Sequence, residues 1–199
     1  CYDIGEGLQN NFRKKQLIGQ SRNQWSGEQG LCVALSGSCS VATRQQIAQH
    51  IKMHPALKID VEKVLSGELT ADGVCHWLMS HDASAQLIPL AYSSADPLQV
   101  EAIQREHGQH FIAATLEQLF ADVARALIAK GVTKLITAGG ETSGAIVEGL
   151  ELSRLEIGPE IDPGVPALRA GTKLVIALKS GNFGAENFFE KAAETLSSK

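Results

Sequence analysis

At 199 residues the chain can bury a full core, and its length predicts one domain or at most two small ones. With 20% charged residues and a net charge of −4 it lacks the basic field of a non-specific nucleic-acid binder. No apolar run reaches the roughly 18–20 residues of a membrane span and no signal-peptide pattern opens the chain, so neither nucleic acid nor membrane is expected as a partner.

The four cysteines, Cys1, Cys32, Cys39 and Cys75, form no C-x-x-C pair, which suits reduced thiols and a cytoplasmic location. The chain opens at Cys1, not Met, and runs through the polar stretch Asn10 to Lys15. Residues 1–30 therefore read as a linker or the remnant of a preceding domain, with a short helix expected from Leu8 to Leu17.

Organised structure is expected from residue 31 to residue 199. Leu31-Cys32-Val33-Ala34-Leu35 is an apolar run of the kind buried in a parallel sheet. It breaks into Ser36-Gly37-Ser38-Cys39-Ser40, and a helix follows from Ala42 to Met53, completing a strand–turn–helix opening. Leu57 to Val61 reads as a second strand. Thr70 caps a helix bearing Val74, Trp77 and Leu78, with Trp77 in the core, and Leu87 to Ala91 reads as a further strand. Asp96-Pro97 starts a short helix to about Glu106. The longest helix runs from about His110 to Lys130, with Leu116, Leu119, Phe120, Val123, Leu127 and Ile128 at helical spacing and Gly131 as its stop.

A strand over 133–138 then enters Gly139-Gly140-Glu141-Thr142-Ser143-Gly144, and a helix follows to Leu150. Leu155 to Ile157 and Leu174 to Leu178 are the last strands, separated by Gly158 to Gly171, whose Pro159, Pro163 and Pro166 read as a semi-rigid loop. After Lys179-Ser180-Gly181-Asn182-Phe183-Gly184 a helix from about Ala185 to Thr195 closes the chain. Strands alternating with helices on short connections predict an α/β fold: three layers, a mostly parallel sheet with helices on both faces.

Three small-residue turns follow strand ends and precede helices. In a parallel sheet those ends share one edge, the edge at which open α/β folds bind ligands. Glycine lets backbone N–H groups approach an anion at a helix N-terminus, Ser and Thr supply hydroxyls, and Lys179 can add a point charge. The candidate anion site is therefore Ser36, Ser38, Gly139, Gly140, Glu141, Thr142, Ser143, Lys179, Gly181 and Asn182. Neither the G-x-x-x-x-G-K-[ST] phosphate loop nor G-x-G-x-x-G is present, so spacing alone names no nucleotide.

Rival chemistries are weaker. Cys39 sits where a helix N-terminus would lower a thiol pKa, but no His or acid is placed to activate it, and it reads as a small buried packing residue. His50 with His54, and His107 with His110, have ligand spacing without supporting Cys or carboxylates and read as solvated surface residues, so no protein-bound metal site is expected. Glu141 can reach a magnesium ion through water, or simply suit the first turn of a helix.

Four segments together resemble the four-carbon acid sugar kinase family: Ser36–Ser40, Ala138–Gly144, Ile157-Gly-Pro-Glu-Ile-Asp-Pro-Gly-Val-Pro166 and Leu178–Gly184. They occur in the family's order and cover roughly residues 31–190. The resemblance implies an ATP-dependent kinase that phosphorylates a four-carbon sugar acid on its terminal hydroxyl, with ATP and Mg2+ as cofactors. Family members carry an N-terminal domain for the sugar acid and a C-terminal domain for ATP, and this chain is similar to the second. The family's Asp-Asp-x-Thr-Gly-Ala motif has no counterpart here, so the catalytic base is expected in an N-terminal domain and the chain alone is expected to be inactive. A non-catalytic nucleotide- or anion-binding interaction module is the alternative, and a homodimer is left open.

Overall fold

Side chains alternate across the central strands and sort the core into two halves. The computed structural model describes residues 25–81, 86–93 and 108–197. In β1 (Cys32–Ser36), Val33 and Leu35 face one side while Cys32 and Ala34 face the other, and all four are buried. The same period of two runs through β4 (Lys134–Ala138) and β7 (Leu174–Lys179), where Leu135 and Ile176 join the first side and Ile136, Val175 and Ala177 the second. Strands apolar on both faces need cover on both faces.

The sheet has seven strands in the order β2-β3-β1-β4-β7-β6-β5, where β2 is Ala56–Lys58, β3 Leu90–Tyr92, β5 Glu156–Asp162 and β6 Val165–Ala170. Strands β2, β3, β1, β4 and β7 are parallel, and β6 and β5 add an antiparallel edge. Helices α1 (Val41–His50) and α6 (Phe188–Ser197) pack on each other, and Ile47, Phe188, Phe189, Ala192 and Leu196 cover the Cys32/Ala34 side. Helices α3 (Ala71–Met79), α4 (Gln109–Ala129) and α5 (Gly140–Gly149) cover the other through Val74, Leu78, Val123, Leu127 and Ile146. The expected three-layer α/β architecture is the one observed.

Local chemistry sets the helix ends. Thr70 Oγ1 accepts from Gly73 N–H at 3.2 Å and caps α3 as expected, with Trp77 partly buried against the core. Gly131 stops α4 at φ +89°, its N–H and that of Val132 closing onto Ile128 O and Leu127 O in a Schellman arrangement. Asp60, expected within a strand, instead accepts from Glu62 N–H and starts the short α2 (Val61–Leu65), so β2 ends at Lys58. The expected helices over Leu8–Leu17 and Pro97–Glu106 lie outside the described residues.

Residues 158–171 correct the sequence reading: they are not a loop but most of a β5–β6 hairpin. The prolines misled because Pro normally interrupts a sheet. Pro159 lies in β5, the edge strand, where a missing N–H costs no ladder bond, and Pro166 pairs where the register is irregular. Pro163-Gly164 makes the turn, with Gly164 at φ +79°, the left-handed position that a Pro-Gly turn reserves for glycine. Trp25 packs against this edge, its indole N–H donating to Thr195 O at 3.0 Å, and a Cβ at Gly158 would lie 2.2 Å from its ring.

Candidate anion site at the carboxyl edge of the sheet

The chain runs from β1 to β2 and β3 on one side and then returns to place β4 on the other side of β1. The carboxyl ends of β1 and β4 therefore flank a topological switch point, the crevice where open α/β sheets take their ligands. The first loop (36–40) leaves β1, the second (139–144) leaves β4, and the third (180–184) leaves the next strand along, β7. Gly37 N–H donates to Ala138 O at 3.1 Å and Gly139 N–H to Lys179 O at 2.8 Å, lacing the three strand ends together.

The glycines are there because the loops touch. A Cβ on Gly37 would lie 2.2 Å from Thr142 Oγ1, one on Gly139 would meet Thr142 Oγ1 at 3.0 Å and Ser38 N at 3.2 Å, and one on Gly181 would meet Ser38 Oγ at 2.7 Å. Gly139 also holds φ +123°, closed to other residues. Gly140 differs: a Cβ there would meet nothing within 4 Å. It opens α5, whose N-cap Gly139 offers no side chain, so the first-turn N–H groups of Gly140, Glu141 and Thr142 have no acceptor among the described residues. Bare donors at a positive helix end, beside open space, suit an anion.

The ten expected site residues meet at this edge but are not equivalent. Ser36, Ser38, Thr142, Ser143 and Lys179 are buried, while Gly140, Glu141 and Asn182 are exposed. Ser36 Oγ is buried with no partner among the described residues. Ser143 Oγ pairs with Thr137 Oγ1 at 2.7 Å and so ties α5 to β4. Lys179 points inward, since residue 179 shares its strand face with Val175 and Ala177. Its Nζ donates to Thr43 Oγ1 at 2.9 Å, Ser180 O at 3.1 Å and Gly181 O at 3.2 Å, and lies 5.6 Å from the centre of the Phe188 ring. Burial pulls its pKa down from 10.5 to about 8.

The sequence reading missed Thr43 and Gln46. Both are buried on the face of α1 toward the third loop, where Gln46 Nε2 donates to Phe183 O, Gly184 O and Ala185 O at 2.9–3.0 Å. Thr43, Ile47 and His50 recur at helical spacing, so polar residues inside an otherwise core-facing stripe were the signal available.

Two further expectations are corrected. Cys39 is exposed, because the turn before α1 points it away from both cores. His50 is completely buried: its Nδ1 meets Glu190 Oε1 at 2.8 Å and its Nε2 meets Ile88 O at 2.8 Å, joining α1, α6 and the segment before β3. His54 is partly buried and stacks on it at 4.6 Å, accepting from Ile88 N–H at 3.3 Å. Burial, then the neighbouring His50, lowers the His54 pKa. Burial is the largest single influence on the Glu190 carboxylate and pushes its pKa up, but the His50 hydrogen bond, a backbone hydrogen bond and the nearby His50 and His54 together outweigh it and hold that pKa below its ordinary value. His110 is exposed, as a surface histidine should be, and His107 lies outside the described residues.

A cavity of about 570 Å³ opens at the opposite edge, lined by Cys32, His54, Lys134 and Glu190 among others. It lies at the amino ends of β1 and β4, and it brings carboxylates where the loop edge brings bare N–H donors. For an anionic ligand the loop edge is the better site.

The family model described as nucleotide-binding C-terminal domain matches residues 33–189. The 3-oxo-tetronate kinase of Brucella melitensis is 43% identical over 164 residues, which cover 82% of this chain and 37% of that protein. The 3-oxo-tetronate kinase of Haemophilus influenzae is 38% identical over 171 residues, covering 85% and 41%. A crystal structure of a Haemophilus influenzae protein superposes with a TM-score of 0.82 at 36% identity, covering 89% of this chain and 43% of that one. The chain spans about two-fifths of the length of these curated relatives.

Proposed function

The chain belongs to the nucleotide-binding C-terminal domain family, and from that premise we propose that it is the ATP-binding part of a 3-oxo-tetronate-type kinase, phosphorylating a four-carbon sugar acid on its terminal hydroxyl. Residues 31–199 form the nucleotide domain, and a preceding domain supplies the sugar-acid site and the catalytic base. The chain alone is inactive, and the enzyme works in the cytoplasm. One observation carries the reading: the first two loops flank the switch point between β1 and β4, and the second opens α5 with first-turn N–H groups that have no acceptor among the described residues.

Phosphoryl transfer asks a protein for positioning and charge stabilisation far more than for covalent chemistry. ATP supplies the transferred group. The N–H groups of Gly140, Glu141 and Thr142 hold phosphate oxygens, assisted by the helix dipole of α5. The buried Ser36 Oγ, unpartnered among the described residues, has a hydroxyl to offer at the same strand edge, and the exposed Glu141 carboxylate suits a hydrated Mg2+.

Calorimetric titration of MgATP into the chain tests this, with saturable binding at or below about millimolar dissociation constant as the expected result. Gly140→Val should weaken it at least about tenfold, because its side chain fills space that no protein atom occupies. No heat at several times that concentration would overturn the nucleotide reading. Binding without phosphoryl transfer in the two-domain protein would favour a non-catalytic module.

A further inference from the structure

Donors from α1 and from the end of β7 converge on the third loop, and all of them end on its carbonyl oxygens. Gly181 O receives Ser40 Oγ at 2.5 Å, Thr43 Oγ1 at 2.7 Å and Lys179 Nζ at 3.2 Å. Lys179 also donates to Ser180 O, and Gln46 Nε2 to Phe183 O, Gly184 O and Ala185 O. In a trans peptide the C=O of one residue and the N–H of the next point opposite ways, and the described chain has no cis bond. Drawing the carbonyls of Ser180, Gly181 and Phe183 toward α1 therefore turns the N–H groups of Gly181, Asn182 and Gly184 to the other side. None of those three finds an acceptor among the described residues. The next N–H on that side, of Ala185, already holds an anionic oxygen, Asp162 Oδ2, at 2.9 Å.

We propose that Thr43, Gln46 and Lys179 are positioning residues that hold the third loop as an anion cradle, its Gly181, Asn182 and Gly184 N–H groups turned toward the nucleotide phosphates. This rests on the nucleotide reading above. It also reassigns Lys179: its ammonium is spent on Thr43 and two loop carbonyls, and it acts on phosphate through the loop, not as a direct charge. Adjacent N–H groups turned to one side, here those of Gly181 and Asn182, form the concave nest that binds anions elsewhere in proteins, and Gly184 follows beyond Phe183, whose own N–H donates to Ser180 O at 3.2 Å. Glycine suits position 181, where a Cβ would meet Ser38 Oγ at 2.7 Å and Ser40 Cβ at 3.1 Å, and position 184, which holds φ +83°.

The test compares Thr43→Val, which keeps the shape and removes the hydroxyl, with Thr43→Ser, which restores it. MgATP titrations by calorimetry on the full chain should show about a tenfold loss for T43V, with T43S recovering to within about threefold of wild type. In amide NMR spectra the Gly181, Asn182 and Gly184 resonances should shift on adding MgATP in wild type and T43S, and barely in T43V. Gln46→Met, which removes the donor for three carbonyls, replaces T43V if circular dichroism shows that variant unfolded. Wild-type affinity in a folded T43V or Q46M, or binding that leaves those three resonances unmoved, would overturn the positioning role and leave the nucleotide reading standing. No binding by wild type would remove both.

Discussion

Lys179 holds its proton less tightly in the folded chain than free in water, with a pKa drawn down by burial from 10.5 to about 8. Between those two values the unfolded chain binds more protons than the folded one, so this group's contribution to stability rises with pH across that window. Its hydrogen bonds to Thr43 Oγ1, Ser180 O and Gly181 O move the other way, since the ammonium that makes all three is lost over the same interval. Two opposite trends should follow. Thermal melts of wild type and Lys179→Met should differ in wild type's favour increasingly as pH rises from about 8 toward about 10. MgATP affinity of wild type should fall over the same range, and the K179M affinity should stay flat; equal pH profiles for the two proteins would show that Lys179 does not titrate there. Lys179 also shows what strand spacing can and cannot reveal. The sequence reading ended the strand at Leu178 and left Lys179 to the loop; within β7 its odd position beside Val175 and Ala177 aims it at the α1–α6 layer, where its side-chain partner, Thr43, comes from 136 positions earlier. Period two can aim a side chain. It cannot name what the side chain meets.

Among elements, those written in local chemistry were the legible ones. Thr70 capping α3 and Gly131 ending α4 are short-range devices, readable because both partners lie within a few residues. The β5–β6 hairpin was hidden, although Asp162-Pro163-Gly164-Val165 is a turn signature, because three prolines in ten residues read as breakers. Their tolerance depends on β5 standing at the sheet edge, a fact of strand order and not of local sequence. Gly164 at φ +79° gives this element its test. Gly164→Ala should destabilise the fold by about 1 kcal/mol, read as a lower urea midpoint at unchanged slope, because a Cβ strains the left-handed turn. Gly140→Ala, with ordinary helical backbone and open space around it, should leave the midpoint nearly where it was or raise it. An equal drop in both would show that the turn is not the cause.

The described residues form one sheet with a core on each face, and the two halves share the backbone of β1, β4 and β7. Leu135→Ala on the first side and Ile136→Ala on the second, both fully buried, should each cost about 2–5 kcal/mol by leaving a cavity. Because the strands are common to both cores, each variant should move a single unfolding transition; two separate transitions by fluorescence and far-UV circular dichroism would show that the faces unfold independently. The sequence by itself determined the α/β class, the layers and the three loops. Apolar runs, caps and glycine turns act over a few residues, and they suffice to say that strands end in small-residue turns. Only the tertiary structure decided that the first two loops flank a switch point, that His50 is buried against Glu190, and that Thr43 and Gln46 shape the third loop. Those facts depend on which strand lies beside which, and strand order is set by the packing of both cores at once, which no stretch of sequence specifies alone.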